Sequence, residues 1–142
     1  MNKHPNLIYL ASPYSHTDEY IQHQRAKEIS QIAGQLIGEG VHVYCPIAET
    51  VMIAKHGELN TTDWEFWKAK DCNQLSRCDE LWIAQMDGYQ ESIGIKGEVK
   101  YALENNIPVW FLDPVEFCLY QTDSEKELLD IFNCHNIKEL ES

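Results

Sequence analysis

A glutamate stands where a glycine-bearing loop passes into a predicted helix. The segment 92–98, with the sequence Ser-Ile-Gly-Ile-Lys-Gly-Glu, follows the apolar run 81–84 and precedes the apolar pattern of residues 99–103. This order predicts a loop that brings the carboxylate of Glu98 to the start of a helix, beyond a buried strand, where ligands bind in open α/β sheets. The alternative is an ordinary acid of the first helical turn, which the helix dipole stabilises by about 0.3–1 kcal/mol.

A second carboxylate interrupts an apolar row one predicted helix earlier. The residues at helical spacing in that row are Trp64, Trp67, Asp71, Leu75 and Cys78. A carboxylate in such a row is hydrogen-bonded, paired with a cation, or placed where the row opens into a cleft. Asp71 is therefore either a structural cap or a second acid of a reaction site. Two acids in otherwise hydrophobic rows suggest chemistry on a small ligand.

Small and polar residues near two predicted strand ends complete the candidate set. Ser12 and Ser15 follow the first strand, and Ser92 and Gly94 precede the helix that carries the glutamate. Such residues allow close backbone approach to an anion at a helix start, which suits a phosphate or a carboxylate. Taken singly they are also ordinary caps and turn residues. Tyr9, within the first strand, either fills the core or offers its hydroxyl to a buried partner.

Familiar motifs for metals and cofactors do not occur in this sequence. The six histidines and five cysteines form neither an H-x-x-x-H nor a C-x-x-C pair, so a structural zinc site is not expected. There is no G-x-G-x-x-G and no G-x-x-x-x-G-K-[ST] segment. Neither a dinucleotide fingerprint nor a Walker loop is therefore expected.

The candidate residues are positioned by strands and helices that alternate along the chain. We expect strands at residues 7–11, 41–45, 81–84 and 108–112, and helices that begin at Ser15, near residue 62, near residue 95 and before residue 128. Residues 46–60 show no periodicity and predict an irregular or mobile flap, in which Glu49 faces the site. The alternation predicts a Rossmann/flavodoxin-like three-layer α/β sandwich with a mostly parallel sheet of about five strands.

Length and charge limit the organisation and the partners of the protein. The 142 residues are enough for one core, so we expect an α/β domain over residues 1–117 and an acidic helical extension over 118–142 that packs on the same domain or on a neighbouring subunit. With 23 acidic and 11 basic residues, the net charge of -12 disfavours binding to a nucleic acid polymer.

The cysteines and the N-terminal sequence predict a cytoplasmic protein. The five cysteines are an odd set without close pairs, as expected for reduced thiols. The apolar run that begins at Leu7 is too short for a signal core or a membrane span. We therefore expect no membrane association.

Three stretches of the sequence occur in an order and spacing that resemble those of a known family. They are Ile8-Tyr-Leu-Ala-Ser-Pro13, then Asp71 with Leu75 and Cys78-Asp79, then Ser92-x-Gly94-x-x-x-Glu98 with Ala102. Together they resemble the nucleoside 2-deoxyribosyltransferase family and its relatives, the deoxynucleoside monophosphate N-glycosidases. The A-S-P-Y-S start and the D-G-Y-x-x-S-x-G-x-x-x-E loop look like a bacterial and phage branch of that superfamily. The resemblance covers residues 7–113.

This resemblance implies a role for each of three residues. Glu98 matches the family nucleophile, which attacks the anomeric carbon of deoxyribose to give a covalent glycosyl-enzyme. Asp71 matches an aspartate that assists proton transfer near the departing base, and Tyr9 positions Glu98. Two carboxylates with opposite tasks and an oxocarbenium-like transition state are the general logic of retaining glycoside chemistry. The resemblance also implies no metal or organic cofactor.

Ser92 bears on the choice between the two subfamilies. Six residues before the nucleophile, the transferases carry an aspartate and the monophosphate hydrolases a serine. A carboxylate there would repel a 5′-phosphate, whereas a hydroxyl can donate to it, so the analogy predicts a 5′-monophosphate and hydrolysis. The chain departs from the glycosidases at residues 12–16, which read Ser-Pro-Tyr-Ser-His and hold no arginine to meet a phosphate.

Three functions remain open at this point. The first, which we expect, is an N-glycosidic-bond enzyme that hydrolyses a small (deoxy)nucleotide or transfers its base. The second is a non-catalytic nucleotide-binding or sensing module, and the third is an interaction protein whose acidic tail mediates contacts. Family members place a residue of a neighbouring subunit in the site, so a homodimer or larger homo-oligomer is expected, and the aromatic run Trp64, Phe66 and Trp67, expected to be exposed, permits it.

Overall fold

The first strand sets the pattern of the sheet. In the computed structural model, which describes residues 6–141, β1 (Leu7–Ala11) lies between β2 (His42–Tyr44) and β3 (Glu80–Ala84) and pairs with both in parallel. Alternate side chains enter cores on opposite faces, Tyr9 on one side and Leu10 on the other. A strand buried on both faces is a continuous apolar run, which explains why residues 7–11 are recognisable in the sequence.

Two further strands complete the sheet. β4 (Val109–Leu112) pairs in parallel with β3, and β5 (Leu119–Tyr120) pairs antiparallel with β4, so the order is β2-β1-β3-β4-β5. In this order β1 and β3 lie side by side at the point where the strand sequence reverses direction. Ligands of such sheets bind in the crevice at the carboxyl ends of these two strands.

Helices cover both faces of the sheet. They are α1 (Glu19–Gly38), α2 (Pro46–His56), α3 (Trp64–Leu75), α4 (Ile93–Glu104) and α5 (Glu125–Ile131), with short 3₁₀ helices at Tyr89–Glu91 and Ile137–Glu141. Buried side chains of α1 pack on one face, and those of α3, α4 and α5 pack on the other. This confirms the predicted flavodoxin-like α/β sandwich with a mostly parallel five-stranded sheet.

The expected irregular flap over residues 46–60 is wrong, because most of it is α2. The helix begins at Pro46, where a proline fits well since its missing N–H would be unpaired in any case. Glu49 does not face the cleft. Its carboxylate accepts a hydrogen bond from the backbone N–H of Cys45 at 2.8 Å and so caps the start of α2.

The predicted start of the first helix is also wrong. Asp18 caps α1 by accepting a hydrogen bond from the backbone N–H of Tyr20, so the helix begins four residues after Ser15. The hydroxyl of Ser15 instead donates to the carbonyl oxygen of Thr62 at 3.1 Å. This bond joins the loop after β1 to the segment that leads into α3.

The C-terminal segment packs against the α/β core of its own chain. Leu128, Leu129, Phe132 and Leu140 are buried in the same cluster as Phe111 of β4. At its end, Glu141 lies 2.9 Å from Lys68 of α3 and 4.0 Å from Lys100 of α4. The segment therefore covers the outer side of the two helices that carry the candidate acids.

Candidate functional site

A cleft of about 1110 Å³ brings the predicted residues together. Six of the seven predicted residues line it, namely Ser12, Ser15, Asp71, Ser92, Gly94 and Glu98. The seventh, Tyr9, is fully buried in β1 and reaches the cleft wall through its hydroxyl group's contact with Glu98. The site therefore lies at the carboxyl end of β1, as the sheet order predicts.

Glu98 is a buried carboxylate held by one hydrogen bond from a tyrosine. It lies on α4, whose first turn is capped by the Ser92 hydroxyl oxygen accepting from the backbone N–H of Ile95 at 3.2 Å. Ile95, Val99 and Glu98 are all buried, because residues three and four apart share one face of a helix. The Tyr9 hydroxyl donates to the carboxylate of Glu98.

The surroundings of Glu98 disfavour its charged form. Burial raises the pKa of Glu98 to about 8, and the charge of Asp71 raises it as well, while the hydrogen bond from Tyr9 lowers it. Burial also raises the pKa of Tyr9, so its hydroxyl stays a donor at neutral pH. Glu98 is thus mostly protonated at pH 7 in the unliganded protein and becomes an anion near pH 8.

Asp71 offers an oxygen without a hydrogen-bond partner. It is buried on α3, and within residues 6–141 no group donates a hydrogen bond to its Oδ1. Burial raises the pKa of Asp71, and the charge of Lys70, whose Nζ lies 3.6 Å from that oxygen, partly offsets this rise. Lys70 also donates to the Tyr44 hydroxyl at 2.6 Å. A buried oxygen left open in a cleft is suited to a ligand's donor.

A tryptophan and a glycine set the distance between the two helices that carry the acids. Trp64 of α3 is buried, contrary to the expected exposure, whereas Phe66 is exposed. A Cβ added at Gly97 of α4 would come within 2.4–2.5 Å of the Trp64 indole. Only glycine at this position lets the indole lie against α4, so Gly97 allows Asp71 and Glu98 to share one wall.

The three serines of the cleft differ in the hydrogen bonds that they already make. Ser12 is buried, and its Oγ has no hydrogen-bond partner among the described residues. The Ser92 oxygen accepts the helix-capping bond, which leaves its hydroxyl proton available to donate. Ser15 is exposed at the rim and already donates to Thr62. The first two are the better placed to bind an anion.

Arg25 also lines the cleft and is not among the residues predicted from the sequence. It lies on α1 four residues before the buried Ile29, a spacing that puts it on the sheet-facing side of the helix and is the signal that was available. Its Nη1 donates to the carbonyl oxygen of Ser15 at 2.8 Å, and its Nη2 to that of Asp87 at 3.3 Å. The arginine therefore bridges the loops that follow β1 and β3.

The other reactive side chains do not suggest different chemistry. All five cysteines are free, and burial raises the pKa of Cys45 and of Cys72 to about 11, so their thiols are protonated and poor nucleophiles at neutral pH. Over residues 6–141, no cluster of three His, Cys, Asp or Glu side chains is arranged to hold a metal ion. No helix in that range is long and apolar enough to cross a membrane.

Comparison with known proteins gives a family and a fold. A family model described as "Domain of unknown function (DUF1937)" matches residues 6–113. A search of the curated proteins finds no match. A solved structure of a 2-deoxyribosyltransferase from the psychrotolerant bacterium Bacillus psychrosaccharolyticus aligns with a TM-score of 0.54 and 19% identity, covering 96% of this chain and 90% of that one.

The aligned enzyme is described as a biocatalyst for the synthesis of antiviral and antitumoral nucleosides. At this level of identity the likeness establishes the fold. Together with the family match, it confirms the resemblance predicted from the sequence.

Proposed function

We propose that this protein breaks the N-glycosidic bond of a small deoxynucleotide. The premise is that the chain belongs to the DUF1937 family, a nucleoside 2-deoxyribosyltransferase-like family. The observation that carries the proposal is the buried carboxylate of Glu98, held by the Tyr9 hydroxyl beside Asp71 in one cleft. A buried acid with a strongly raised pKa in a cleft is typical of a reaction site.

Glu98 and Asp71 have different roles in the proposed reaction. The ionised Glu98 attacks the anomeric carbon, a glycosyl-enzyme ester forms, and the bond to the base breaks through an oxocarbenium-like transition state. Asp71, whose Oδ1 has no hydrogen-bond partner within residues 6–141, relays a proton from solvent water to the departing base. Tyr9 holds Glu98 in place. Water or a second base then releases the sugar from Glu98.

A 5′-monophosphate is the substrate that the cleft suits best. Ser92 and Gly94 lie at the start of α4 in the cleft wall, where backbone N–H groups and the helix dipole favour an anion. The Ser92 hydroxyl adds a donor without adding charge. An aspartate at the same place would repel the phosphate.

The raised pKa of Glu98 favours a second candidate, a nucleotide-binding or sensing module. A carboxyl group that is mostly protonated at neutral pH is a weak nucleophile but a good hydrogen-bond donor to a bound sugar or base. The two candidates differ above pH 8. An enzyme releases more base as Glu98 ionises, whereas a sensing module binds nucleotide and releases none at any pH.

The test is to incubate the protein with deoxynucleoside monophosphates and the matching deoxynucleosides at pH 7 and pH 9, with and without a second free base. Chromatography of the free and exchanged bases separates hydrolysis from transfer. We expect release that is faster at pH 9, and a glycosyl adduct on the peptide containing Glu98 by mass spectrometry.

The matched variants are Glu98→Gln and Glu28→Gln. The first removes the nucleophile, and the second removes an exposed glutamate of α1. We expect base release to fall at least about a thousandfold in the first variant and to be unchanged in the second. Release that survives in Glu98→Gln would remove this residue from the mechanism. Binding of nucleotide as a thermal shift, without product, would favour the sensing module.

A further inference from the structure

Arg25 is a cation in the cleft wall without a carboxylate partner. Within residues 6–141, no Asp or Glu lies within ion-pair distance of its guanidinium group. Its three hydrogen bonds go to backbone carbonyl oxygens, those of Tyr14, Ser15 and Asp87. A guanidinium has five N–H donors, so two of them have no partner in the described part of the chain.

The absence of a side chain at Gly88 leaves space for this guanidinium group. Gly88 has a positive φ of 91°, and a Cβ added there would come within 2.3 Å of the Arg25 Nη2. The arginine is half-buried and held by carbonyls from the loops after β1 and β3. A charge fixed in this way binds an anion with little further loss of side-chain freedom.

The acidic lining of the cleft favours a fixed cation as a binding group for an anionic ligand. Five acidic side chains line the cleft against two permanent cations, Arg25 and Lys55. Lys55 is exposed on α2. Arg25 instead lies between the loop that follows Ser12 and the loop that leads to Ser92, and it bonds to both. The buried Ser12 oxygen, which has no hydrogen-bond partner among the described residues, lines the same cleft.

We propose that Arg25 determines specificity by binding the 5′-phosphate of the substrate. It supplies from α1 the positive charge that residues 12–16 lack. This inference rests on the proposed function, because it assigns a substrate class to the same cleft. Ser12 and Ser92 complete the phosphate site with neutral hydroxyl donors, and the sugar then extends from the phosphate toward Glu98.

The test compares phosphorylated and unphosphorylated ligands in Arg25→Gln, Arg25→Lys and Arg77→Gln. Arg77 is the only other arginine of the sequence and is exposed, so Arg77→Gln removes the same charge elsewhere. Calorimetric titration with 2-deoxyribose 5-phosphate and with 2-deoxyribose measures binding without turnover. Base release from a deoxynucleoside monophosphate and from its nucleoside measures selectivity.

We expect Arg25→Gln to weaken 2-deoxyribose 5-phosphate binding, and to lower kcat/KM for the monophosphate, by at least about tenfold, because hydrogen bonds to charged groups are the stronger kind. Binding of 2-deoxyribose and kcat/KM for the nucleoside should stay within about twofold of the parent values. Arg77→Gln should match the parent for all ligands. Arg25→Lys should bind the phosphorylated ligands more weakly than the parent and more tightly than Arg25→Gln. Circular dichroism verifies folding. If Arg25→Gln does not fold, Arg25→Lys decides by the same comparison.

An equal loss for both kinds of ligand would overturn the inference, because Arg25 would then only join the two loops. Parent-like phosphate binding in Arg25→Gln would overturn it too. These failures differ from failure of the proposed function. Base release that is indifferent to Arg25 leaves the N-glycosidic reaction in place, whereas Arg25-dependent binding of 2-deoxyribose 5-phosphate without base release from any nucleotide removes the reaction and keeps the phosphate site.

Discussion

The hydroxyl of Tyr9 donates a hydrogen bond to the carboxylate of Glu98, a residue 89 positions away in the sequence. The contact joins β1 in the centre of the sheet to α4 on one of its faces. Within residues 6–141 no other hydrogen bond to the Glu98 carboxylate is found. This bond lowers the pKa of Glu98, which burial raises to about 8. This pairing ties the ionisation of the candidate nucleophile to a single side chain.

Replacing Tyr9 with phenylalanine should move the pH dependence of the reaction. The change removes the hydrogen bond that favours the charged carboxylate, so the pKa of Glu98 rises further. The acidic limb of kcat/KM then moves to higher pH, and activity at pH 7 falls about tenfold for each unit of that movement. Rate profiles from pH 5 to 10 measure it, with Tyr20→Phe, an exposed tyrosine of α1, as the control. An acidic limb that stays in place would show that Tyr9 does not tune Glu98.

Glu98→Gln should make the protein more stable at high pH. The pKa of Glu98 is about 8 when folded and about 4.5 as a free side chain, so the folded state binds the proton more tightly. The contribution of Glu98 to the free energy of unfolding is therefore fully present below pH 4.5 and is lost as the pH rises through about 8. Glutamine cannot ionise and avoids this loss.

Urea unfolding at pH 4.5, 7 and 9 measures the effect of Glu98→Gln. The variant should match the parent at pH 4.5 and exceed it at pH 9 by on the order of a few kcal/mol. Glu28→Gln, on an exposed face of α1, should follow the parent throughout. Equal pH dependence in Glu98→Gln and the parent would mean that Glu98 is not held in its neutral form by burial.

Strong local patterns made the central elements predictable. The run 7–11 is apolar on both faces, and residues 95–102 place apolar side chains at helical spacing, so β1, α4 and the position of Glu98 follow from the sequence. Asp71 was recognisable because it interrupts an apolar row. Each of these signals lies within one element and depends on that element's own periodicity.

The missed features depend on contacts between distant segments. α2 was not predicted because Pro46 ends one strand and starts a helix at once, and its helix has only one buried residue to mark a periodic face. The two-residue β5 is too short to show alternation. Arg25 was missed because its partner carbonyl on Asp87 is 62 positions away. The same holds for the fit of Trp64 against Gly97.

Asp71→Asn should slow the reaction in proportion to the base's need for a proton. We expect kcat for a natural nucleotide to fall by about 10²–10⁴, the usual contribution of a positioned acid or base. A 4-nitrophenyl 2-deoxyriboside 5-phosphate, whose leaving group departs without a proton, should lose much less. The acidic limb should also move to lower pH, because the charge of Asp71 no longer raises the pKa of Glu98.

The control for this variant is Asp123→Asn, an exposed residue before α5. It should leave both substrates and the pH profile unchanged. Equal losses on the natural and the activated substrate would assign Asp71 a structural role instead of proton transfer.

Gly97→Ala should lower stability and activity together. The new Cβ would clash with the Trp64 indole at 2.4–2.5 Å, so α3 must move away from α4 and carry Asp71 with it. Overpacking of this kind costs about 1–3 kcal/mol. Gly34→Ala is the matched control, since no atom lies within 4 Å of its added Cβ, and we expect it to gain about 0.5–1 kcal/mol from helix propensity. Urea unfolding of both variants measures the difference, and a Gly97→Ala protein as stable as Gly34→Ala would contradict this packing.

Ser92→Asp should weaken the preference for phosphorylated substrates while keeping the helix start. Serine and aspartate are comparable N-cap residues, so the bond from the Ile95 N–H is retained and α4 keeps its place. The added carboxylate repels a phosphate in the cleft, and the ratio of kcat/KM for the monophosphate to that for the nucleoside should fall at least about tenfold. Ser92→Asn also caps the helix but adds no charge, so it should change this ratio by less than about threefold. A loss of the same size in Ser92→Asn and Ser92→Asp would show that the hydroxyl, and not the charge at this position, governs recognition of the phosphate.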